Sequence, residues 1–175
     1  MNMRSMLVLG GAACALVAGC SASEDEAATP APEPVLTGNP VATQASDGSA
    51  MTAGEWLIGE DANGAHARFG PTNSEPLLAL ECDSASQVLT LTRASDAISE
   101  QTYVLEADGM KASVDMEPAG GDLAMQTAEI NRAMPIFRAF AQPGAVITVS
   151  GPDGARLLVP GAPGIARVLE ACSRA

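Results

Sequence analysis

From Trp56 onward the pattern of apolar and polar residues is mostly of period two, and clusters of turn-forming residues interrupt the runs. A period of two predicts half-buried strands. Pro76 opens Leu77-Leu78-Ala79-Leu80-Glu81-Cys82, Asp83-Ser84-Ala85-Ser86 turns, and Gln87 to Arg93 returns, with Leu89 and Leu91 on one face and Thr90 and Thr92 on the other. A second hairpin runs from Tyr103-Val104-Leu105 through Asp108-Gly109, a dipeptide suited to tight hairpin turns, into a return strand. There Met110, Ala112, Val114 and Met116 share one face, and Lys111, Ser113 and Asp115 share the other. A third joins Val146–Val149 to Arg156–Val159 through Gly151-Pro152-Asp153-Gly154, and Ala65–Phe69 adds an early strand.

Two stretches break the two-residue rhythm. Residues 123–141 read as a strand bearing Leu123, Met125 and Thr127, then a short helix from near Pro135 with Ile136, Phe137, Phe140 and Ala141, stopped by Pro143-Gly144. At the end of the chain Ile165, Val168, Leu169 and Cys172 fall at i, i+3, i+4 and i+7, the apolar stripe of an amphipathic helix. Pro163 suits its first turn, and Arg174 suits the negative end of the helix dipole. The expected fold is mainly β with some α. An antiparallel, sandwich-like or partly closed sheet carries a C-terminal helix packed on it. No repeat of solenoid length is present.

The first 50 residues have a different texture. Arg4 precedes the uncharged apolar stretch Met6–Val17, shorter than the about 20 residues that a membrane span needs and of signal-peptide length. The stretch ends in Leu16-Val17-Ala18-Gly19-Cys20, which resembles the bacterial lipobox. The resemblance implies that residues 1–19 are removed as a signal peptide and that the Cys20 thiol carries a diacylglyceryl group. Two or more acyl chains hold a protein durably at a membrane where one does not. Ser21 stands where an aspartate would signal inner-membrane retention, so the resemblance favours an outer-membrane anchor facing the periplasm. Residues 21–50 contain five acidic residues, no basic or aromatic ones, and the run Thr29-Pro30-Ala31-Pro32-Glu33-Pro34. Such a composition buries too little to fold. The expected organisation is therefore a lipidated cysteine and disordered tether over 20–50, roughly 30 Å in typical span, and one globular domain over 51–175.

Charge and composition narrow the partners. The net charge of −12 opposes binding to nucleic acid, which needs clustered Lys and Arg, and opposes electrostatic docking on anionic headgroups. Aromatic residues are few, Trp56, Tyr103, Phe69, Phe137 and Phe140, too few for the stacking platforms of sugar or single-strand sites.

Cys14 leaves with the leader and Cys20 carries lipid, so Cys82 and Cys172 remain. In an exported domain an even pair reads as a disulfide, here stapling the last helix to the sheet. The domain from Trp56 to Cys172 is also similar to small, uncharacterised envelope lipoproteins of α-proteobacteria. Phe69-Gly70-Pro71, Leu80-Glu81-Cys82, Leu89–Arg93, Leu158-Val159-Pro160 and Arg167–Cys172 carry the likeness. Type VI secretion-associated envelope proteins and lysozyme-inhibitor lipoproteins share a comparable plan of strand cysteine and terminal cysteine. These resemblances imply a fold and a disulfide, and no residue roles.

Catalytic signatures are missing: there is no G-x-S-x-G, H-E-x-x-H, S-x-x-K or phosphate-cradling glycine loop. His66, the single histidine, shares a strand face with Arg68 and reads as a rim or surface residue. Glu60-Asp61 and Asp115 with Glu117 lack the spacing of a calcium loop and read as solvated charges; Met110 and Met116 read as core. No catalytic residue, cofactor or metal is expected. The expected role is a non-enzymatic, lipid-anchored envelope protein that binds another protein. Loops 60–64, 70–76 and 117–122 are the candidate contact regions. Two alternatives stand beside it: an inhibitor of a periplasmic hydrolase such as lysozyme, and a carrier of apolar small ligands.

Overall fold

The computed structural model describes residues 35–36, 44–45 and 47–173; Cys20 and its lipobox lie outside them. The strands are β1 (Val35–Leu36), β2 (Glu55–Asp61), β3 (Gly64–Gly70), β4 (Leu78–Asp83), β5 (Leu89–Ala94), β6 (Gln101–Ala107), β7 (Met110–Pro118), β8 (Met125–Ile130), β9 (Val146–Ser150) and β10 (Arg156–Pro160). The helices are α1 (Pro135–Phe140) and α2 (Ile165–Ala171). Strands β2 to β10 form an antiparallel sheet of nine curled into a half-barrel, and β1 pairs with β2 at one edge. The fold expected from the sequence is therefore the one found.

Alternation sets the inside and the outside. Leu89, Leu91 and Arg93 of β5 are buried while Thr90 and Thr92 are half-buried on the other face, and β6 alternates in the same way through Tyr103, Leu105 and Ala107. Inward residues of all the long strands meet the helices in one cluster. Phe137 and Phe140 of α1 pack edge to face, their centroids 5.4 Å apart, a favoured arrangement of aromatic quadrupoles. Ile165 and Val168 of α2 are completely buried, as the helical stripe predicts. Met116 is fully buried and Met110 packs at the margin of the core.

Three strands depart from alternation, and one of them is β4, which buries Leu78-Ala79-Leu80 in succession. β9 and β10 each bury three consecutive residues, Ile147-Thr148-Val149 and Leu157-Leu158-Val159. The segment entering the domain accounts for this: the Thr52 amide donates to the Leu158 carbonyl (2.8 Å) and the Leu158 amide donates to Thr52 Oγ1 (3.3 Å). Ala45 and Asp47 border the same groove as Thr148 and Leu158. The free edge of β10 is thereby covered at Leu158, its middle residue, which blunts it as a template for another chain. The Trp56 indole N–H, which donates to the Pro160 carbonyl at 2.7 Å, links the two ends of the curled sheet.

The sheet order is β1-β2-β3-β4-β5-β8-β7-β6-β9-β10. Six connections are hairpins or hairpin-like, but β5 and β6, consecutive in sequence, are separated by β8 and β7. At about 4.8 Å per strand spacing, residues 95–100 cross roughly 14 Å. Six extended residues reach only about 20 Å. The crossover therefore has little slack.

Cys82 and Cys172 form a disulfide with Cα atoms 5.5 Å apart, joining the end of β4 to the C-cap of α2. Close approach is enforced nearby at Gly64, whose φ is 145° and where an added Cβ would lie 1.8 Å from the Cys82 carbonyl oxygen. Only a residue without a side chain fits there.

Candidate functional site at the loop-bearing rim

Because every pairing is antiparallel, the connections sort to two rims of the half-barrel. One rim holds the turns at Ala62-Asn63, Ser84–Val88 and Asp108-Gly109, together with both helices and the disulfide. The other holds loops 71–77, 95–100, 119–124 and 151–155. Of the three loops singled out in the sequence, 70–76 and 117–122 meet at this second rim. The third, 60–64, lies at the opposite one, where Asp61 Oδ1 accepts the amides of Asn63 (2.7 Å) and Gly64 (3.2 Å) and closes a turn.

Loops 71–76 and 119–124 fold against the convex face and border two adjoining grooves of about 420 and 450 Å³ that share Arg68, Glu75 and Pro76. Arg68 and Glu81 project from neighbouring positions of β3 and β4. The Arg68 guanidinium donates from Nε to Glu81 Oε1 at 2.7 Å and from Nη2 at 2.6 Å. Both side chains are over 40 % exposed (46 % and 42 %), and an exposed pair of this kind contributes at most about 1 kcal/mol. Thr72 Oγ1 donates to Glu55 Oε1 at 2.8 Å, tying loop 71–76 to β2. Glu55, Glu75, Glu81 and Asp122 outnumber Arg68 along the trough, whose apolar surface includes the exposed Leu57 and Leu123.

The concave side of the same rim is built on Arg93, Tyr103 and Gln126. Arg93 is 8 % exposed and its guanidinium stacks 4.7 Å from the centroid of the Tyr103 ring. Cation–π attraction is strongest where the cation is desolvated. Gly151 closes over the pair: an added Cβ would meet Arg93 Nη1 and the Tyr103 ring at 3.2 Å. The Tyr103 hydroxyl donates to Ser95 Oγ at 2.8 Å, and Ser95 Oγ also accepts the Ala97 amide at 3.3 Å. Gln126 is completely buried, and its Nε2 donates to the carbonyls of Ala97 (2.7 Å) and Ser99 (3.3 Å). A crossover outside the sheet ladder leaves carbonyls that need donors, and Gln126 supplies them.

On this scaffold Ile98 is 95 % exposed, flanked by the exposed Asp96 and Glu100. The pattern of alternating residues does not single out Ile98 or Gln126. The available signals are a lone aliphatic residue within Ser95-Asp96-Ala97-Ile98-Ser99-Glu100 and a glutamine on the inward phase of β8. Leu123 was expected on a strand; β8 begins at Met125, and Leu123 stands 52 % exposed in the preceding loop.

Of the remaining sequence candidates, His66 sits apart from this rim, whereas Asp115 and Glu117 lie on the end of β7 that enters it. His66 lies on the convex face beside Glu81, its Nε2 3.0 Å from where a Cβ on Gly59 would stand. Asp115 accepts the Thr102 hydroxyl at 2.6 Å and Glu117 is exposed. Among the described residues no three His, Cys, Asp or Glu side chains gather as metal ligands do. Between α1 and α2 lies a further groove of about 460 Å³, lined by Arg132, Arg138, Leu169 and Glu170 among others. No family model matches the chain, and comparisons with curated proteins and with solved structures give no match.

Proposed function

We propose that the protein is a lipid-anchored component of the bacterial cell envelope, held through Cys20 at the outer membrane, that binds another protein through its loop-bearing rim and catalyses no reaction. The observation that carries this reading is the gathering of four loops at one end of a rigid sheet, with exposed Leu123 and Ile98 set among carboxylates. Binding residues concentrate on loops that a rigid scaffold positions, and apolar side chains held in solvent at such a rim gain free energy when a partner buries them. The convex trough supports the same reading, since loops 71–76 and 119–124 offer it a shaped wall on either side.

The test uses the mature, lipidated protein as bait in detergent-solubilised envelopes. Leu57→Ser with Leu123→Ser disarms the rim, and Lys111→Ser alters the opposite one. A stoichiometric protein retained by the wild type and by Lys111→Ser, and lost from the rim variant, is the expected result. Retention by all three would refute the assignment to this rim. Release of the protein from membranes on Cys20→Ala, measured by fractionation, tests the anchor separately.

A further inference from the structure

We infer that Ile98 is the anchor of the contact, a preorganised apolar peg that enters a pocket on a basic protein; this rests on the protein-binding reading above and names the residue and the chemistry of the partner. An aliphatic side chain left 95 % exposed is ordinary on a slack loop, where it collapses onto the nearest apolar surface or is averaged over many positions. This loop is not slack. Its chain crosses two strands with little length to spare, as the order β5-β8-β7-β6 requires. Its backbone is held at Ser95, whose amide donates to the Ala124 carbonyl (2.9 Å), and at Ala97 and Ser99, whose carbonyls accept from Gln126. Gln101 Nε2 donates to Ser99 Oγ at 3.0 Å and fixes the far side. A buried polar residue is thus used to immobilise the backbone on both sides of Ile98. Ordering a loop before binding removes the entropic cost that would otherwise oppose association.

The flanking charges select the partner. Asp96 and Glu100 are exposed on either side of Ile98, with Glu75 and Asp122 on adjoining loops of the rim. Of the described cations at this rim, Arg68 is paired with Glu81 and Arg93 stacks on the Tyr103 face, and the exposed Arg156 at the start of β10 is outnumbered by the carboxylates. Like charges repel across a contact. A second copy of this chain, with the same carboxylates around its own Ile98, and an anionic lipid surface are both disfavoured. A protein with an apolar pocket ringed by Lys and Arg satisfies both features.

The test installs photoreactive p-benzoylphenylalanine in the full-length chain in bacterial cells, at position 98, at position 123 across the rim, or at position 111 on the opposite rim. The expected result is a discrete adduct from position 98 with a basic protein. The purified partner should then bind the mature domain with an affinity that Ile98→Ser weakens about tenfold or more, that Ile98→Leu retains, and that falls as salt rises. Ile98→Ser should melt like the wild type, because its side chain contributes nothing to the core. Equal binding of wild type and Ile98→Ser overturns the inference, as does an adduct with a second copy of this chain or binding indifferent to salt. An adduct from position 123 without one from 98 removes the Ile98 peg and leaves the protein-binding reading standing. No adduct from either position, or equal adducts from all three, removes both.

Discussion

At one rim of the half-barrel the chain reverses through three short turns and the α1-bearing connection, and α2 is stapled to β4 by Cys82–Cys172. At the other rim the connections are loops without helices or staple, and the apolar residues Ile98 and Leu123 stand in solvent. The two ends share the same strands, so local strand stability does not explain the difference. The closed rim is fixed by covalent linkage and by backbone contact too tight for a side chain, as at Gly64. The open rim is fixed by polar side chains: Gln126 beneath the crossover, Tyr103 on Ser95, Thr72 on Glu55. Removing a structural element at the closed rim therefore acts on the whole fold, whereas removing one at the open rim acts on a single loop.

The largest effect expected is at the disulfide. Its cysteines are 90 residues apart, and closing a loop of that length stabilises the fold by about 4–5 kcal/mol in the chain-entropy model. The double substitution Cys82→Ala, Cys172→Ala should lower the urea midpoint by a correspondingly large amount, and reduction of the wild type should reproduce that shift. A midpoint unchanged by either treatment would show that the closed rim does not depend on its staple.

Next in size is Gly64→Ala. The added Cβ would sit 1.8 Å from the Cys82 carbonyl oxygen at a φ of 145°, so the β3–β4 backbone must shift where the disulfide leaves least room. Strained backbone and overpacking each cost about 1–3 kcal/mol, and a loss of roughly 3 kcal/mol or more is expected in the same denaturation assay. Gly109→Ala, at a position whose Cβ meets nothing within 4 Å, is the control that separates positive φ alone from the clash.

At the open rim Gln126→Leu leaves the Ala97 and Ser99 carbonyls without their donor. It also removes Gln126 Oε1, a buried acceptor with no partner among the described residues. The two changes oppose each other, since unmade buried hydrogen bonds cost about 1–3 kcal/mol each way, so the net loss should be modest, roughly 1–2 kcal/mol. Hydrogen exchange is the sharper readout. Amides of residues 95–101 should lose protection while those of β4 and α2 keep theirs. Equal loss throughout the domain would erase the distinction between the rims.

Much of this architecture was legible because it is local. Asp108-Gly109 announced its turn, the alternation of Thr90 and Thr92 with Leu89 and Leu91 gave the faces of β5, and the spacing from Ile165 to Cys172 gave α2. Cysteine arithmetic gave the staple. What was not legible depends on pairing between distant residues. Nothing in residues 95–100 says that β8 and β7 will slip between β5 and β6, and without that insertion Gln126 reads as a surface amide and Ile98 as an incidental loop residue. The burial of both faces at β9 and β10 depends in the same way on Thr52, about 100 residues earlier in the chain and joined to Leu158 across a sequence separation of 106.

The smallest effect expected belongs to Asp83, at the closed rim next to the staple. Asp83 Oδ1 accepts the Ser86 amide at 2.6 Å, the Ser86 hydroxyl at 2.8 Å and the Ala85 amide at 3.0 Å. Hydrogen bonds from the Ser86 backbone and side chain favour the carboxylate and hold its pKa below the ordinary 3.8. A carboxyl whose pKa is depressed on folding contributes stability that is fully present above its unfolded pKa and fades as pH falls through the folded value. Asp83→Asn should therefore leave a slightly shallower loss of stability on acidification below about pH 3.8 than the wild type shows, with little change at pH 7 beyond the weaker acceptor. Since the group is in open solvent, the turn should survive either way. Thermal melts from pH 2 to pH 7, in which the curves of the two proteins converge at low pH, are the expected outcome; parallel curves across the whole range would show that the turn's hydrogen bonds do not distinguish the carboxylate from the acid.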